Sequence, residues 1–229
     1  SVFNVCNVLI MIWFVKLYEK IVTTVIKQKS STDEEFQLKY ISTGMMAASE
    51  LNLPQARQEI VVYAERVRRM FGMIQDLLHE KEGSEAYSKL YSRIEKYENI
   101  SDNMEVEIAN YLNQVSEGRL SSESKLQIRG MLREVTEIES IGDSCYNLAR
   151  TINRKRRGSE DFTQGQYEHI HEMFHLTDEA LKQMIALVED VHHSEDVNKS
   201  FNIETEINNY RNRLKNQNVI DVNDKKYDY

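Results

Sequence analysis

Proline and glycine are scarce in this chain, which has one proline and eight glycines among its 229 residues. Both residues interrupt regular helices, so their scarcity favours long uninterrupted ones. Strand signals are also nearly absent, because no run of alternating Val, Ile, Thr and aromatic residues is bounded by turn residues. The sequence therefore predicts an all-α fold.

Positive charge is in short supply as well. The chain has 29 Lys and Arg against 37 Asp and Glu, a net charge of −8, whereas nucleic-acid binding needs a basic surface that neutralises phosphates. We therefore expect no nucleic-acid partner. The dense basic run from Arg154 to Arg157 lies at the predicted end of a helix, where cations interact favourably with the helix dipole. Contact with an anionic lipid or phosphate is the alternative.

Motifs that carry chemistry are few. Cys6 and Cys145 cannot make a disulfide framework, and Cys145 is expected to be a packed thiol. The chain has no Ser/His/Asp arrangement, no glycine-rich phosphate-binding loop and no nucleotide-binding fingerprint. We therefore expect a protein that is not an enzyme.

One string, "HEMFH" at residues 171–175, points the other way. On a helix, His171 and His175 would ligate zinc and Glu172 would act as the general base of a metallopeptidase. Such a site needs a third ligand, for which Glu195 is the candidate, and a substrate-aligning strand that an all-α chain does not supply. A zinc metallopeptidase is the remote alternative, adventitious metal binding by His171 and His175 is another, and a plain helix surface is the expectation.

Hydrophobic spacing predicts five long helices. Their predicted ranges are about 54–82 (α1), 84–117 (α2), 122–157 (α3), 164–193 (α4) and 195–218 (α5), with a Thr163/Gln166 capping box before α4. Short connections between long amphipathic helices make neighbours antiparallel. We therefore expect tandem antiparallel three-helix bundles, with a linker over 29–53, a first bundle over 54–158 and an incomplete second bundle over 159–229.

In three of these helices, mostly apolar residues recur in alternating steps of four and three residues, and each such row is here called a seam. The seams are Leu90, Ile94, Tyr97, Ser101, Met104, Ile108, Tyr111 and Val115 in α2; Met131, Val135, Ile138, Gly142, Cys145, Ala149 and Ile152 in α3; and Ile203, Ile207, Tyr210, Leu214 and Gln217 in α5. Gly142 lies on the α3 seam, where a missing side chain would allow a close contact between helices. Four acidic residues each directly follow a seam residue, Glu98 and Asp102 in α2 and Glu139 and Asp143 in α3. The two pairs occupy equivalent heptad positions.

The two acidic pairs should also lie at one level of the bundle. Counted from the turn between α2 and α3, their midpoints differ by about 3 Å along the axis, at a rise of about 1.5 Å per residue. Four carboxylates that face one space repel one another unless a cation lies among them or some are protonated. An all-oxygen set favours a divalent or iron-type cation over zinc. The residues alone leave two interpretations open, a cation site and ordinary surface charge.

The same residues carry a resemblance to a known family. The stretch "IESIGDSCYNLA" (138–149) resembles the helix signature of the PhoU family, and "ENISDNMEVEI" (98–108) resembles its companion acidic motif on the preceding helix. The resemblance implies tandem three-helix bundles that bind clustered metal ions through these motifs. The stretch "ETEINNYRNRL" (204–214) aligns with residues 98–108, which makes Glu204 a fifth candidate ligand, although Asn208 stands where Asp102 would.

The chain begins with the apolar stretch "SVFNVCNVLIMIWFV", which no basic residue precedes, unlike a signal peptide. Residues 1–28 are predicted to be the last part of a transmembrane helix, with Trp13, Phe14 and Tyr18 at the interface and lysines beyond it. The positive-inside rule then places the residues after about 28 in the cytoplasm. An amphipathic or core helix of a soluble protein is the alternative.

This stretch, followed by a PhoU-like region, resembles bacterial sodium/phosphate cotransporter family proteins that carry a cytoplasmic PhoU-like domain. The resemblance implies a regulatory domain at the inner (cytoplasmic) membrane whose partners are an upstream transporter core and, through it, phosphate and sodium. A homodimer is a further expectation, and a soluble PhoU-like phosphate-signalling regulator is the runner-up. The last residues, "VIDVNDKKYDY", are expected to follow α5 without a cap, so that the second bundle lacks a helix and α4 and α5 expose an apolar face.

Overall fold

A computed structural model describes residues 35–41, 50–158, 161–189 and 195–226 of the chain. Within these ranges the secondary structure is helical and contains no strand, which confirms the all-α prediction. The helices are α1 (Leu53–His79), α2 (Glu85–Ser116), α3 (Ser122–Arg156), α4 (Gln164–Glu189) and α5 (Glu195–Asn223), and a short 3-10 turn (Glu50–Asn52) precedes α1.

Serine and threonine side chains fix where three of these helices begin. Ser84 and Ser121 are the N-caps of α2 and α3, and each hydroxyl accepts a hydrogen bond from the backbone N–H three residues later. The predicted capping box before α4 is confirmed in both directions, since Thr163 N–H donates to Gln166 Oε1 at 2.9 Å and Gln166 N–H donates to Thr163 Oγ1 at 3.3 Å. Residues 190–193 of predicted α4 lie outside the described residues.

The predicted end of α5 near residue 218 is wrong, and so is the expectation that it lacks a cap. The helix continues to Asn223 and closes in a Schellman motif, in which Lys226 N–H donates to the Asp221 carbonyl at 2.9 Å and Lys225 N–H to the Val222 carbonyl at 3.0 Å. Lys225 takes the left-handed conformation that the motif requires, with φ 55°. Glycine usually occupies this position, so a lysine here does not indicate a helix end.

Helices α1, α2 and α3 pack against one another in pairs as a three-helix bundle. Every predicted seam residue of α3 is buried, and so is every one of α2 except the half-buried Leu90. The predicted seams are therefore confirmed for the first bundle. The seam of α5 packs less completely, because Tyr210 is buried while its other four residues are half-buried.

Helix α4 packs along α1, and α5 pairs with α4. Phe71 of α1 meets Phe174 of α4 edge to face with ring centroids 5.3 Å apart, and Arg68 donates two hydrogen bonds to Asp178 at 2.8 and 3.2 Å. Helix α1 is thus enclosed by α2, α3 and α4, which explains why its sequence is apolar on several faces. Residues 36–229 form one compact unit, and the predicted division of the chain at residue 158 stays a prediction.

Helix α5 exposes large apolar side chains, as expected. Val197, Phe201, Val219 and Ile220 are each about half exposed or more, at 47%, 61%, 61% and 51%. Helix α4 departs from that expectation, because its larger apolar residues are buried or half-buried against α1. No helix among the described residues combines the length and apolarity needed to cross a bilayer, and residues 1–28, where a membrane helix is predicted, fall on the stretch that is not described.

Candidate metal centre

Three of the predicted carboxylates converge in the groove between α2 and α3. Glu98, Asp102 and Asp143 each offer an oxygen, and these oxygens all lie within 4.8 Å of one another. Glu98 and Asp102 are one turn apart on α2, and Asp143 faces them from α3. Each directly follows a buried seam residue, so the packing of the seams brings the carboxylates to the rim of the same groove.

Gly142 sets the separation of the two helices at this level. A Cβ atom at this position would lie 3.0 Å from Ser101 Oγ of α2 and 3.7 Å from Val67 Cγ2 of α1. The first distance is shorter than an ordinary contact, so a side chain at position 142 would fit only if Ser101 moved by a few tenths of an ångström. The predicted close contact at Gly142 is therefore confirmed.

Several carboxylates of like charge lie close together in the groove. Burial, followed by the charges of Asp102 and Asp143, raises the pKa of Glu98. Burial, followed by the charge of Asp143, raises the pKa of Asp102. Glu98 and Asp102 are therefore harder to ionise in this groove, and a cation bound there would relieve the repulsion between them and Asp143.

Glu139 lies beside this group of three rather than within it. It is half-buried, and its pKa is raised by burial first and then by Asp143, Glu105 and Asp102. Glu139 thus interacts electrostatically with the cluster but is not one of the three residues whose oxygens converge. Glu105, one turn beyond Asp102, was missed by sequence reasoning, although its spacing of seven residues from Glu98 puts it on the same face.

A tyrosine hydroxyl lies beneath the cluster. Tyr63 of α1 is fully buried, and Ser101 donates a hydrogen bond to its hydroxyl at an O–O distance of 3.3 Å. Burial raises the pKa of Tyr63, and the charges of Glu105, Glu139 and Asp102 raise it further, while the Ser101 hydrogen bond lowers it. The sequence carried no signal for this residue, because Tyr63 sits in an apolar run of a different helix.

Glu204 does not join the cluster. It is exposed on α5 and lines a groove with Glu134 of α3 and Ile207 of its own helix. Its assignment as a metal ligand stays a prediction.

The His-Glu-x-x-His string forms no metal-competent group with other described residues. The ring of His171 stacks on that of His79 from α1, with centroids 4.6 Å apart, while Glu172 and His175 are exposed. The side chain of Glu195, the candidate third ligand, lies outside the described part of the chain. The string therefore fits a helix surface, as expected.

The basic run has a structural role through one of its members. Arg156 donates hydrogen bonds to the carbonyl oxygens of Leu78 and Glu80 at the end of α1, and to the Tyr167 hydroxyl at 2.8 Å. It thereby satisfies carbonyl groups that have no partner within α1. Cys145 is 5% exposed, and burial raises the pKa of its thiol to about 12, as expected for a packed and unreactive cysteine.

The donor set suits a hard cation. Three carboxylates whose oxygens lie within 4.8 Å of one another supply oxygen ligands only, and Mg²⁺, Ca²⁺ and Mn²⁺ prefer oxygen. Such ions complete their coordination with water, which the exposed side of the groove admits because Asp102 and Asp143 are exposed.

Comparisons with known proteins bear on the bundle of α1, α2 and α3. Searches of curated proteins and of solved structures found no match. The family model of the PhoU domain matches residues 58–152, a range that runs from the second turn of α1 to the last turns of α3 and includes the three converging carboxylates. The match supports a PhoU-like domain in the three-helix bundle of α1, α2 and α3.

Proposed function

We propose that this chain is a non-enzymatic regulatory module of a sodium-dependent phosphate transport system, in which a cation bound between α2 and α3 controls phosphate uptake. The observation that carries the proposal is that the PhoU match and the convergence of Glu98, Asp102 and Asp143 fall on the same bundle. PhoU is a regulatory and non-enzymatic family, which supports a role in control rather than in catalysis.

The cation in this proposal is divalent or of the iron type. Its ligands are Glu98, Asp102 and Asp143, and Glu139, whose pKa the charges of Asp143 and Asp102 help to raise, is a candidate fourth ligand. Binding would offset the repulsion that, after burial, raises the pKa values of Glu98, Asp102 and Glu139, so the cation would stabilise the pairing of α2 with α3.

The test of the cation site is metal analysis combined with thermal unfolding. Mn²⁺, Fe²⁺, Mg²⁺ and Ca²⁺ are added in turn to chelator-treated protein, and the parent is compared with an Asp102→Asn/Asp143→Asn variant. Binding at 100 times Kd stabilises by about 2.7 kcal/mol, which corresponds to a rise in Tm of roughly 5–10 °C for a chain of this size. We expect at least one ion to give this rise in the parent and none to give it in the variant.

A Glu107→Gln/Glu137→Gln variant is the matched control, since it removes the same charge from the same two helices outside the group of three. It should respond to the cation as the parent does. Equal responses of parent and Asp102→Asn/Asp143→Asn protein to every ion would refute the cation site.

The proposal also includes attachment of the chain to a membrane transporter. It rests on the apolar stretch at residues 1–28 in front of a PhoU-like domain, and it assigns residues after about 28 to the cytoplasmic face of the inner membrane. We expect the chain to need detergent for solubility and to lose that need when residues 1–30 are deleted. A full chain that is soluble without detergent would support instead a soluble PhoU-like phosphate-signalling regulator. Light scattering of the same samples tests the expected homodimer.

A further inference from the structure

A short segment in front of α1 is fastened to that helix by one buried side chain. The segment is Phe36–Ile41, here called the strap. Glu59 of α1 is 0% exposed, and its Oε2 accepts hydrogen bonds from three successive backbone amides of the strap. The N–O distances are 2.8 Å to Lys39, 2.6 Å to Tyr40 and 3.3 Å to Ile41.

Apolar contacts hold the same segment from the inside. Ile41 is 5% exposed within the core that α1, α2 and α3 share, and Leu38 packs against that core. Phe36 and Tyr40 point outward, at 43% and 48% exposed. The strap thus has an inner face of two aliphatic side chains and an outer face of two aromatic ones.

The strap and the carboxylate depend on each other. Three successive amides form a concave site for an anion, and a carboxylate in that site accepts charge-assisted hydrogen bonds. A buried carboxylate without such donors is strongly unfavourable. The other oxygen of Glu59 is buried and has no hydrogen-bond partner among the described residues, so the amides of the strap are what compensates the buried charge.

We propose that Glu59 is a latch that holds the strap closed over α1, and that the strap opens as a local unit while the helix bundle stays folded. The inference goes beyond the proposed function, because it involves neither the cation nor phosphate. A closed latch ties the point where the chain leaves residues 1–35 directly to α1. An open latch releases six residues, which is about 20 Å of extended chain. The latch therefore decides whether a displacement of the upstream chain reaches α1.

Amide hydrogen exchange of the full chain tests the latch. In the parent protein we expect the amides of Lys39, Tyr40 and Ile41 to be protected, and to exchange by an opening that low urea does not accelerate. Amides in the middle of α2 and α3 should instead exchange by an opening that urea accelerates, as global unfolding does. In a Glu59→Gln variant, protection of the strap amides should fall at least tenfold, while protection in α2 and α3 stays within twofold of the parent.

Glu50→Gln is the matched control, because Glu50 also accepts a backbone N–H, that of Ser121 at 2.6 Å, but does not contact the strap. It should leave strap protection unchanged. If Glu59→Gln fails to fold, the urea dependence of amide exchange in the parent protein still tests whether the strap opens separately from the helix bundle. Strap amides that exchange without protection in the parent, or only together with the core, would overturn the proposal. Strap protection that Glu59→Gln leaves intact would overturn it too.

Discussion

A substitution of Gly142 by alanine tests the close helix contact on which the acidic groove depends. In an open helix position, Gly→Ala stabilises by about 1 kcal/mol, because alanine loses less backbone entropy on folding. At Gly142 the new Cβ would meet Ser101 Oγ at 3.0 Å. Ser101 cannot turn away freely, since its hydroxyl is bonded to the buried Tyr63 hydroxyl. Overpacking of this kind costs about 1–3 kcal/mol, so we expect Gly142→Ala to destabilise by about 1 kcal/mol net.

Gly130 is the control on the same helix. It is exposed, and a Cβ there would meet nothing within 4 Å, so Gly130→Ala should stabilise by about 1 kcal/mol. Urea unfolding followed by circular dichroism measures both changes. The expected difference of about 2 kcal/mol corresponds to roughly 4–8 °C in Tm for a chain of this size.

A double-mutant cycle identifies the clashing atom. Once Ser101→Ala removes the Oγ, the nearest atoms to a Cβ at position 142 are Val67 Cγ2 at 3.7 Å and the Cβ of residue 101 at 3.8 Å, which are ordinary contacts. The cost of Gly142→Ala should therefore disappear in the Ser101→Ala background, a coupling of about 1–2 kcal/mol. Equal stabilisation by Gly142→Ala and Gly130→Ala would show that α3 is not closely packed on α2 at this level.

Two further predictions concern charged groups. Arg156→Met should destabilise by about 2 kcal/mol, because carbonyl groups at the end of α1 lose their donor, whereas Arg154→Met at an exposed position should change stability by less than about 0.5 kcal/mol. Similar small effects in urea unfolding would contradict the capping role of Arg156. The folded state raises the pKa values of Glu98 and Asp102 above their ordinary values of 4.5 and 3.8, so it holds these protons more tightly than the unfolded chain does. In the presence of a chelator, the free energy of unfolding should therefore fall as the pH rises above these values. Asp143→Asn should weaken this dependence, and an unchanged pH profile would show that the carboxylates do not interact.

Local periodicity was sufficient to predict much of this molecule. The seams of α2 and α3, the capping box at Thr163 and Gln166, and the close contact at Gly142 all follow from spacing along one helix, since heptad position determines which residue faces a neighbour. The convergence of Glu98, Asp102 and Asp143 follows from the same rule applied to two antiparallel helices.

Features that join distant parts of the chain could not be predicted in this way. The strap binds Glu59 through backbone amides, which carry no signature in the amino-acid sequence, and the contact spans 18 to 20 residues. Tyr63 reaches the groove from α1, the helix of the bundle that does not carry the acidic residues, and the rotation of α1 depends on its packing with both α2 and α3. Lys225 closes α5 in a conformation that glycine usually takes.

Helix α1 connects the parts of this molecule that a regulatory module would need to couple. It contacts α2, α3 and α4, it holds the strap through Glu59, and it places the Tyr63 hydroxyl against Ser101 beneath the acidic groove. Burial is the main cause of the raised pKa of Tyr63, and the charges of Glu139 and Asp102 add to it, so the proposed cation between α2 and α3 would change the electrostatic field at this hydroxyl. A shift of α1 would in turn reach the strap at one end and the α4–α5 pair along its length. If the proposed cation is bound, its effect on the strap and on the α4–α5 pair would therefore have to pass through α1, which packs against three other helices.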